Sequence, residues 1–176
     1  FIYQDSIRKL NPLMTIKDHL YELYKLHFRN KFSDTYLENS VKEIFNKVGI
    51  DTNRLNSFPH EFSGGMRQRV CIAMAMALKP PILIADEPTT SLDSYTSYKI
   101  MNQILLLCKR YSSTLILISH DINMAAKWCN KVAIIDNGII VEKGHMRKFL
   151  DFQKSSIGKN LVKSIHTSIN SSFSAK

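Results

Sequence analysis

The stretch Ile82-Leu83-Ile84-Ala85-Asp86-Glu87-Pro88 decides the fold class. Four apolar residues lead into two adjacent acids and then a proline. A continuous apolar run of this length, closed by a turn signal, reads as a strand buried in a parallel sheet. The acids then fall at the carboxyl end of that strand, the rim where open α/β sheets hold ligands. Neighbouring strand residues point to opposite faces, so the two carboxylates are expected to do different jobs. Asp86 is placed to hold Mg²⁺, which prefers carboxylate oxygen and keeps waters. Glu87 is placed to polarise an attacking water. The bland alternative is an acidic strand end before a proline turn.

Downstream, the pattern alternates. Ser94–Arg110 reads as a helix with Ile100, Ile104 and Leu107 in register, and Thr114–Ser119 as a second apolar strand ending at His120. A helix over 121–129 leads to a strand over 131–136, a tight turn at Asp136-Asn137-Gly138 and a strand over 139–143. Strands and helices in alternation, with apolar residues on both strand faces, predict a parallel sheet covered on both sides.

Upstream, residues 1–12 read as a loop and the rest as mainly helical. Thr15 caps a helix to about Phe28, with Asp18 completing a capping-box-like pair. Its expected buried face is Ile16, Leu20, Leu23, Tyr24 and His27. Ser33 caps a second helix to Val48, with Gly49 as its stop. Asp51 opens a short third turn. After Ser63-Gly64-Gly65, residues 66–79 look helical until Pro80-Pro81. Residues 152–176, rich in Ser and Lys, read as a weakly held tail.

The chain of 176 residues is 44% apolar, enough for a core and too much for a disordered chain. No apolar run approaches the roughly 18 residues needed to cross a membrane. It begins at Phe1, with no signal-peptide pattern, and the missing Met points to a natural chain that starts earlier. Cys71, Cys108 and Cys129 are odd in number and widely spaced, which argues against a disulfide framework or zinc site and for reduced, mostly buried thiols. The net charge is +9, but Lys and Arg are scattered, which argues against nucleic acid as the main partner.

Two further features carry chemistry weakly when taken singly. Ser63-Gly64-Gly65 before a helix offers a nest of backbone N–H groups backed by the helix dipole, a phosphate site in itself. A plain capped Gly loop would read the same way. His120 stands at the end of its strand as Asp86 does on its own, where a neutral imidazole could bond a phosphate oxygen; a lone His is more often structural. Gln4 and Ser91-Leu92-Asp93 mean nothing in isolation.

Taken in order, Gln4, Ser63-Gly64-Gly65, Asp86-Glu87, Ser91-Leu92-Asp93 and His120 closely resemble the second half of an ABC-family ATPase, over residues 1 to about 150. Gln4 is similar to the Q-loop glutamine, and Phe62–Gln68 to the signature motif, with Phe62 in the usual Leu place. Ile82–Glu87 resembles the Walker B strand with its glutamate, Ser91–Asp93 the D-loop, and His120 the switch histidine. Pro59–Arg69, Tyr3-Gln4-Asp5, Leu10-Asn11-Pro12 and Ala85–Thr90 resemble the ATP-binding subunits of oligopeptide, dipeptide and nickel importers.

The resemblance implies a RecA-like parallel core of the P-loop NTPase class, incomplete at its N-terminal side, with a helical signature subdomain. The implied division is a Q-loop segment at 1–12, a helical subdomain at 13–79, a RecA-like core at 80–150 and a tail at 151–176. It implies an ATPase that energises an importer. Glu87 and His120 would be catalytic, and Gln4 and Asp86 would bind Mg²⁺. Gln4, Ser63, Gly64, Gly65, Met66, Asp86 and Asp93 would bind ATP. Implied partners are transmembrane permease subunits, a second ATP-binding subunit of the same or another kind and, indirectly, a substrate-binding protein. The implied location is the cytoplasmic face of the membrane. A soluble ABC-type ATPase acting on ribosomes or DNA is the alternative, and a non-enzymatic fragment donating only a signature is a third.

Two departures stand out. No Gly-x-x-x-x-Gly-Lys-Ser/Thr loop is present: the one Gly-Lys, Gly158-Lys159, has Gln153 five residues before Gly158 and Asn160 where Ser or Thr is required. Residues 1–176 alone are therefore expected to be inactive as an ATPase. Asp151–Ile157 also lacks the Pro and Tyr residues of the subfamily's tail.

Overall fold

The structure is a computed structural model. It describes residues 1–3, 10–28, 33–90 and 92–163; Gln4 and Ser91 lie outside the described residues. The chain divides into two compact units, Phe1–Ile118 and Ser119 onward.

In the first unit, helices α1 (Ile16–Phe28), α2 (Asp34–Lys47) and α3 (Gly64–Ala77) precede strand β1 (Ile82–Asp86), helix α4 (Ser94–Arg110) and strand β2 (Thr114–Ile118). Two 3-10 turns, Thr52–Asn56 and Pro59–Glu61, join α2 to α3. The caps are those the residue types ask for. Asp18 and Thr15 bond reciprocally at the start of α1, backbone to side chain in both directions. The Ser33 hydroxyl accepts the Tyr36 amide. Gly49, at φ +69, ends α2 in a Schellman motif: its N–H bonds Asn46 O and the Ile50 N–H bonds Phe45 O.

The buried face of α1 is Ile16, His19, Leu20 and Tyr24. His27, expected on that face, is exposed. His19 takes the place because its ring stitches the preceding loop: Nε2 accepts the Asn11 amide at 2.9 Å and Nδ1 lies 2.8 Å from Thr15 O.

The first unit's sheet is parallel. β1 pairs β2 with Leu83 opposite Leu115 and Asp86 opposite Ile118. On its other side β1 bridges to Ile2, which donates to Ile84 O at 2.8 Å and accepts from the Asp86 N–H at 2.9 Å. The expected coverage of both faces is not what the described residues give. Leu83 and Ala85 are fully buried, while Ile82, Ile116 and Ile118 on the other face are exposed. An apolar run records that both faces can be buried, not that this stretch of chain supplies both covers.

In the second unit, α5 (Ile122–Trp128) precedes an antiparallel hairpin of β3 (Lys131–Asp136) and β4 (Ile139–His145), then α6 (Met146–Asp151). Asn137 and Gly138 both have positive φ, 46° and 78°, the geometry of the tight turn expected there. Residues 156–163 are helical, not a loose tail. Ile122, Ile134, Met146, Phe149 and Val162 form this unit's core. Cys108 and Cys129 are held above the usual thiol range by burial, as expected of thiols kept for packing.

Candidate active site

Asp86 and Glu87 close β1, and their backbone is tied on both sides. The Asp86 N–H bonds Ile2 O, and the Glu87 N–H bonds Ile118 O at 3.0 Å. Asp86, half-buried, shares the sheet face of Ile84 and Ile118. Glu87 is not extended: its φ is +44. Glu87 lies beyond the strand, so the strand alternation that the sequence suggested does not extend to it. The bend turns the Glu87 carboxylate to Thr90, whose hydroxyl donates to Oε2 at 2.7 Å.

The helix of the signature region starts two residues earlier than expected. α3 begins at Gly64, so both glycines lie inside its first turn. Ser63 is the N-cap, its hydroxyl accepting the Met66 N–H at 3.4 Å, and this cap outweighs the poor helix propensity of two glycines. The Gly64 and Gly65 N–H groups then have no preceding helical carbonyl to bond, the arrangement found where helix starts take anions. Phe62 anchors the turn: it is buried, with the Arg54 guanidinium 5.0 Å over its ring and Arg54 Nη2 donating to Glu61 O.

Asp93 caps α4, accepting the Tyr95 and Thr96 amides at 3.0 and 2.9 Å. Hydrogen bonding from Thr96, and then from Tyr95, holds its carboxyl below the usual range. The starts of α3 and α4 lie side by side, since a Cβ on Gly65 would meet Thr96 Cγ2 at 3.6 Å. Gln68, on α3, donates its side-chain amide to Pro88 O at 2.7 Å. Ser63–Met66, Asp86–Glu87 and Asp93 thus belong to one neighbourhood of the first unit. His120 is the second residue of the second unit, two residues beyond β2, and is exposed.

Gln68 and Thr90 are the contacts the sequence reading missed at this site. A signal for Gln68 existed: Gln68, Ile72 and Met76 fall at i, i+4 and i+8 on the buried side of α3, so a carboxamide stands in an apolar stripe. No such signal marks Thr90.

The donor set suits Mg²⁺. A single half-buried carboxylate at a strand end matches an ion that takes one or two carboxylates and keeps its waters. Among the described residues no cluster of three His, Cys, Asp or Glu could cage a metal without such help.

Residues 1–90 match the family described as ABC transporter. The chain belongs to the ABC transporter family. It is 36% identical over 165 residues to the oligopeptide transport ATP-binding protein OppD of Lactococcus lactis subsp. cremoris, covering 93% of this chain and 48% of that protein. It is 39% identical over 145 residues to the dipeptide transport ATP-binding protein DppD of Escherichia coli, covering 81% and 44%. The chain therefore spans about half the length of the curated relatives it matches. Among solved structures it resembles the dimeric, post-hydrolysis ATP-binding cassette MJ0796 bound to ADP and Pi, with a TM-score of 0.68 and 29% identity, covering 82% of this chain and 62% of that one. The family, read from the order of short motifs, and the α/β class with a parallel sheet, read from the alternation of strand and helix, stand.

Proposed function

We propose that this chain is part of the ATP-binding and ATP-hydrolysing subunit that energises a membrane importer of peptides, nickel or similar small solutes. The observation that carries the reading is Glu87, tied at the end of β1 beside Asp86 and in the same neighbourhood as the α3 N-terminus.

Glu87 orients a water and accepts its proton as the water oxygen attacks the γ-phosphorus of ATP in line. The bond from that phosphorus to the bridging β–γ oxygen breaks, giving ADP and inorganic phosphate. Asp86, with Gln4, would hold Mg²⁺, which would neutralise phosphate charge. His120 contacts the γ-phosphate. Ser63, Gly64, Gly65 and Met66 clamp the γ-phosphate of ATP held by a second subunit, through first-turn N–H groups and the helix dipole. Asp93 reaches the same interface. Loss of the γ-phosphate removes the charge that joins the two subunits, and their parting moves the permease. The subunit sits at the cytoplasmic face of the membrane on permease partners; among the described residues no helix is long and apolar enough to cross it.

In the full-length subunit, Glu87→Gln retains ATP binding and loses turnover by about two orders of magnitude or more, the scale of general-base loss. Filter binding of ATP alongside phosphate release checks this. Unchanged turnover would remove Glu87 from its role.

A further inference from the structure

Glu87 stands in a backbone conformation its side chain does not favour. A non-glycine residue at φ +44 costs about 1–2 kcal/mol and persists where its surroundings over-determine it. Besides the Thr90 hydroxyl on its carboxylate, bonds to backbone groups hold the bend. The Glu87 N–H is fixed by Ile118 O at 3.0 Å. The Thr90 N–H closes weakly on Glu87 O at 3.4 Å. The third tie is on the next residue: Pro88 O accepts from Gln68 Nε2 at 2.7 Å. Gln68 is 5% exposed and Pro88 is also buried, so that bond is shielded from water.

The tie from Gln68 differs from the other two in origin. It comes from α3, whose first turn carries Ser63, Gly64 and Gly65, and five residues of helix are only about 7 Å long. Helix α3 is a stiff rod over that distance. A displacement of its N-terminus is therefore felt at the Pro88 carbonyl through one short, buried bond.

We propose that Gln68 is a positioning residue: its carboxamide couples the anion-binding start of α3 to the left-handed bend that aims Glu87. This rests on the reading of Glu87 as the group that acts on water. Engagement of a γ-phosphate by Ser63–Gly65 then bears on the aim of Glu87 within the same subunit.

The test uses the full-length subunit assembled in its transporter, with three variants. Gln68→Met keeps length and helix propensity but removes the donor and leaves the Pro88 carbonyl unpaired. Gln68→Glu keeps shape; its new carboxyl donates to the carbonyl when protonated and cannot when ionised. Glu87→Gln reports on the underlying reading. We expect Gln68→Met to lower kcat by about tenfold, with KM for ATP changed by less than about threefold and the melting temperature nearly kept, because the lost interaction acts on the reacting geometry more than on substrate binding. We expect Gln68→Glu to lose activity at neutral pH and to regain it, relative to wild type, as pH falls.

Wild-type kcat in Gln68→Met, with Glu87→Gln inert, overturns the coupling and leaves the proposed function intact. A loss of activity that only tracks loss of melting temperature, with no recovery of Gln68→Glu in acid, also overturns it. Full activity of Glu87→Gln overturns the reading of Glu87 and the coupling with it.

Discussion

At position 87 the backbone and the side chain want different residues. The φ of +44 suits glycine, while the proposed chemistry needs a carboxylate. Left-handed geometry costs a residue with a Cβ about 1–2 kcal/mol, and glycine's extra freedom in the unfolded chain costs about 0.5–1 kcal/mol. The first term is the larger. Glu87→Gly is therefore expected to be more stable than Glu87→Ala, by roughly 1 kcal/mol in urea unfolding, since both variants lose the Thr90 bond to the carboxylate and only the alanine keeps the strain. Equal stability, or alanine ahead, would mean the bend relaxes without cost. The two acids at the strand end were legible because residue type and position sufficed. The bend was not, since Gly and Asn are the usual signals of positive φ and a glutamate gives no such sign. Glycines also misled at the other end of the site: Gly64 and Gly65 suggested a loop, yet the Ser63 cap starts the helix before them.

At the scale of elements, one carboxylate joins β4 to the last helical stretch. Glu142 accepts the backbone N–H groups of Lys154 and Ser155 and the Ser155 hydroxyl. Those bonds, the Lys154 amide first, hold its carboxyl below the ordinary range. A carboxyl lowered in the folded state contributes stability above its unfolded pKa, and that contribution is lost as pH falls through the folded value. Residues 152–163 are thus expected to loosen in acid before the rest of the second unit. Glu142→Gln should bring the loosening to neutral pH, with proteolytic cleavage near Ser155 as the readout; identical cleavage in both proteins would rule the tether out. Gly158 belongs to the same joint, since a Cβ there would meet Glu142 Oε2 and Ser155 Oγ at 2.8 Å and Phe149 Cε2 at 2.9 Å. A local reading took these residues for a tail because their cap lies more than a turn of sequence away, on another element. The caps of α1 and α2 were legible because each bonds within three residues.

Across the whole molecule, apolar residues lie on uncovered strand faces in each unit: Ile82, Ile116 and Ile118 in the first, Ile135, Ile139 and Ile140 in the second. Such faces mark surfaces that something else covers. The 176-residue chain is expected to bind the dye ANS, and Ile116→Thr with Ile118→Thr to cut its fluorescence by about half while shifting the melting temperature by less than about 3 °C, as exposed substitutions do. An unchanged dye signal would place the binding elsewhere. The alternation of strand and helix made the α/β class legible, and the spacing of five short motifs made the family legible. Which face of each strand would be covered was not, because burial depends on residues that the strand's own pattern does not name.

Ile2 hydrogen-bonds both Ile84 and Asp86 and is 1% exposed, so this side of β1 is filled by a residue about eighty positions earlier in the chain. At ordinary rates of ribosomal synthesis that is an interval of about four to sixteen seconds. Throughout it the backbone groups of Ile2 wait for the strand they will pair with, since β1 has not yet been made. Helices α1 to α3 are complete before β1 is synthesised, so the pairing of Ile2 with β1 is a late event of biogenesis.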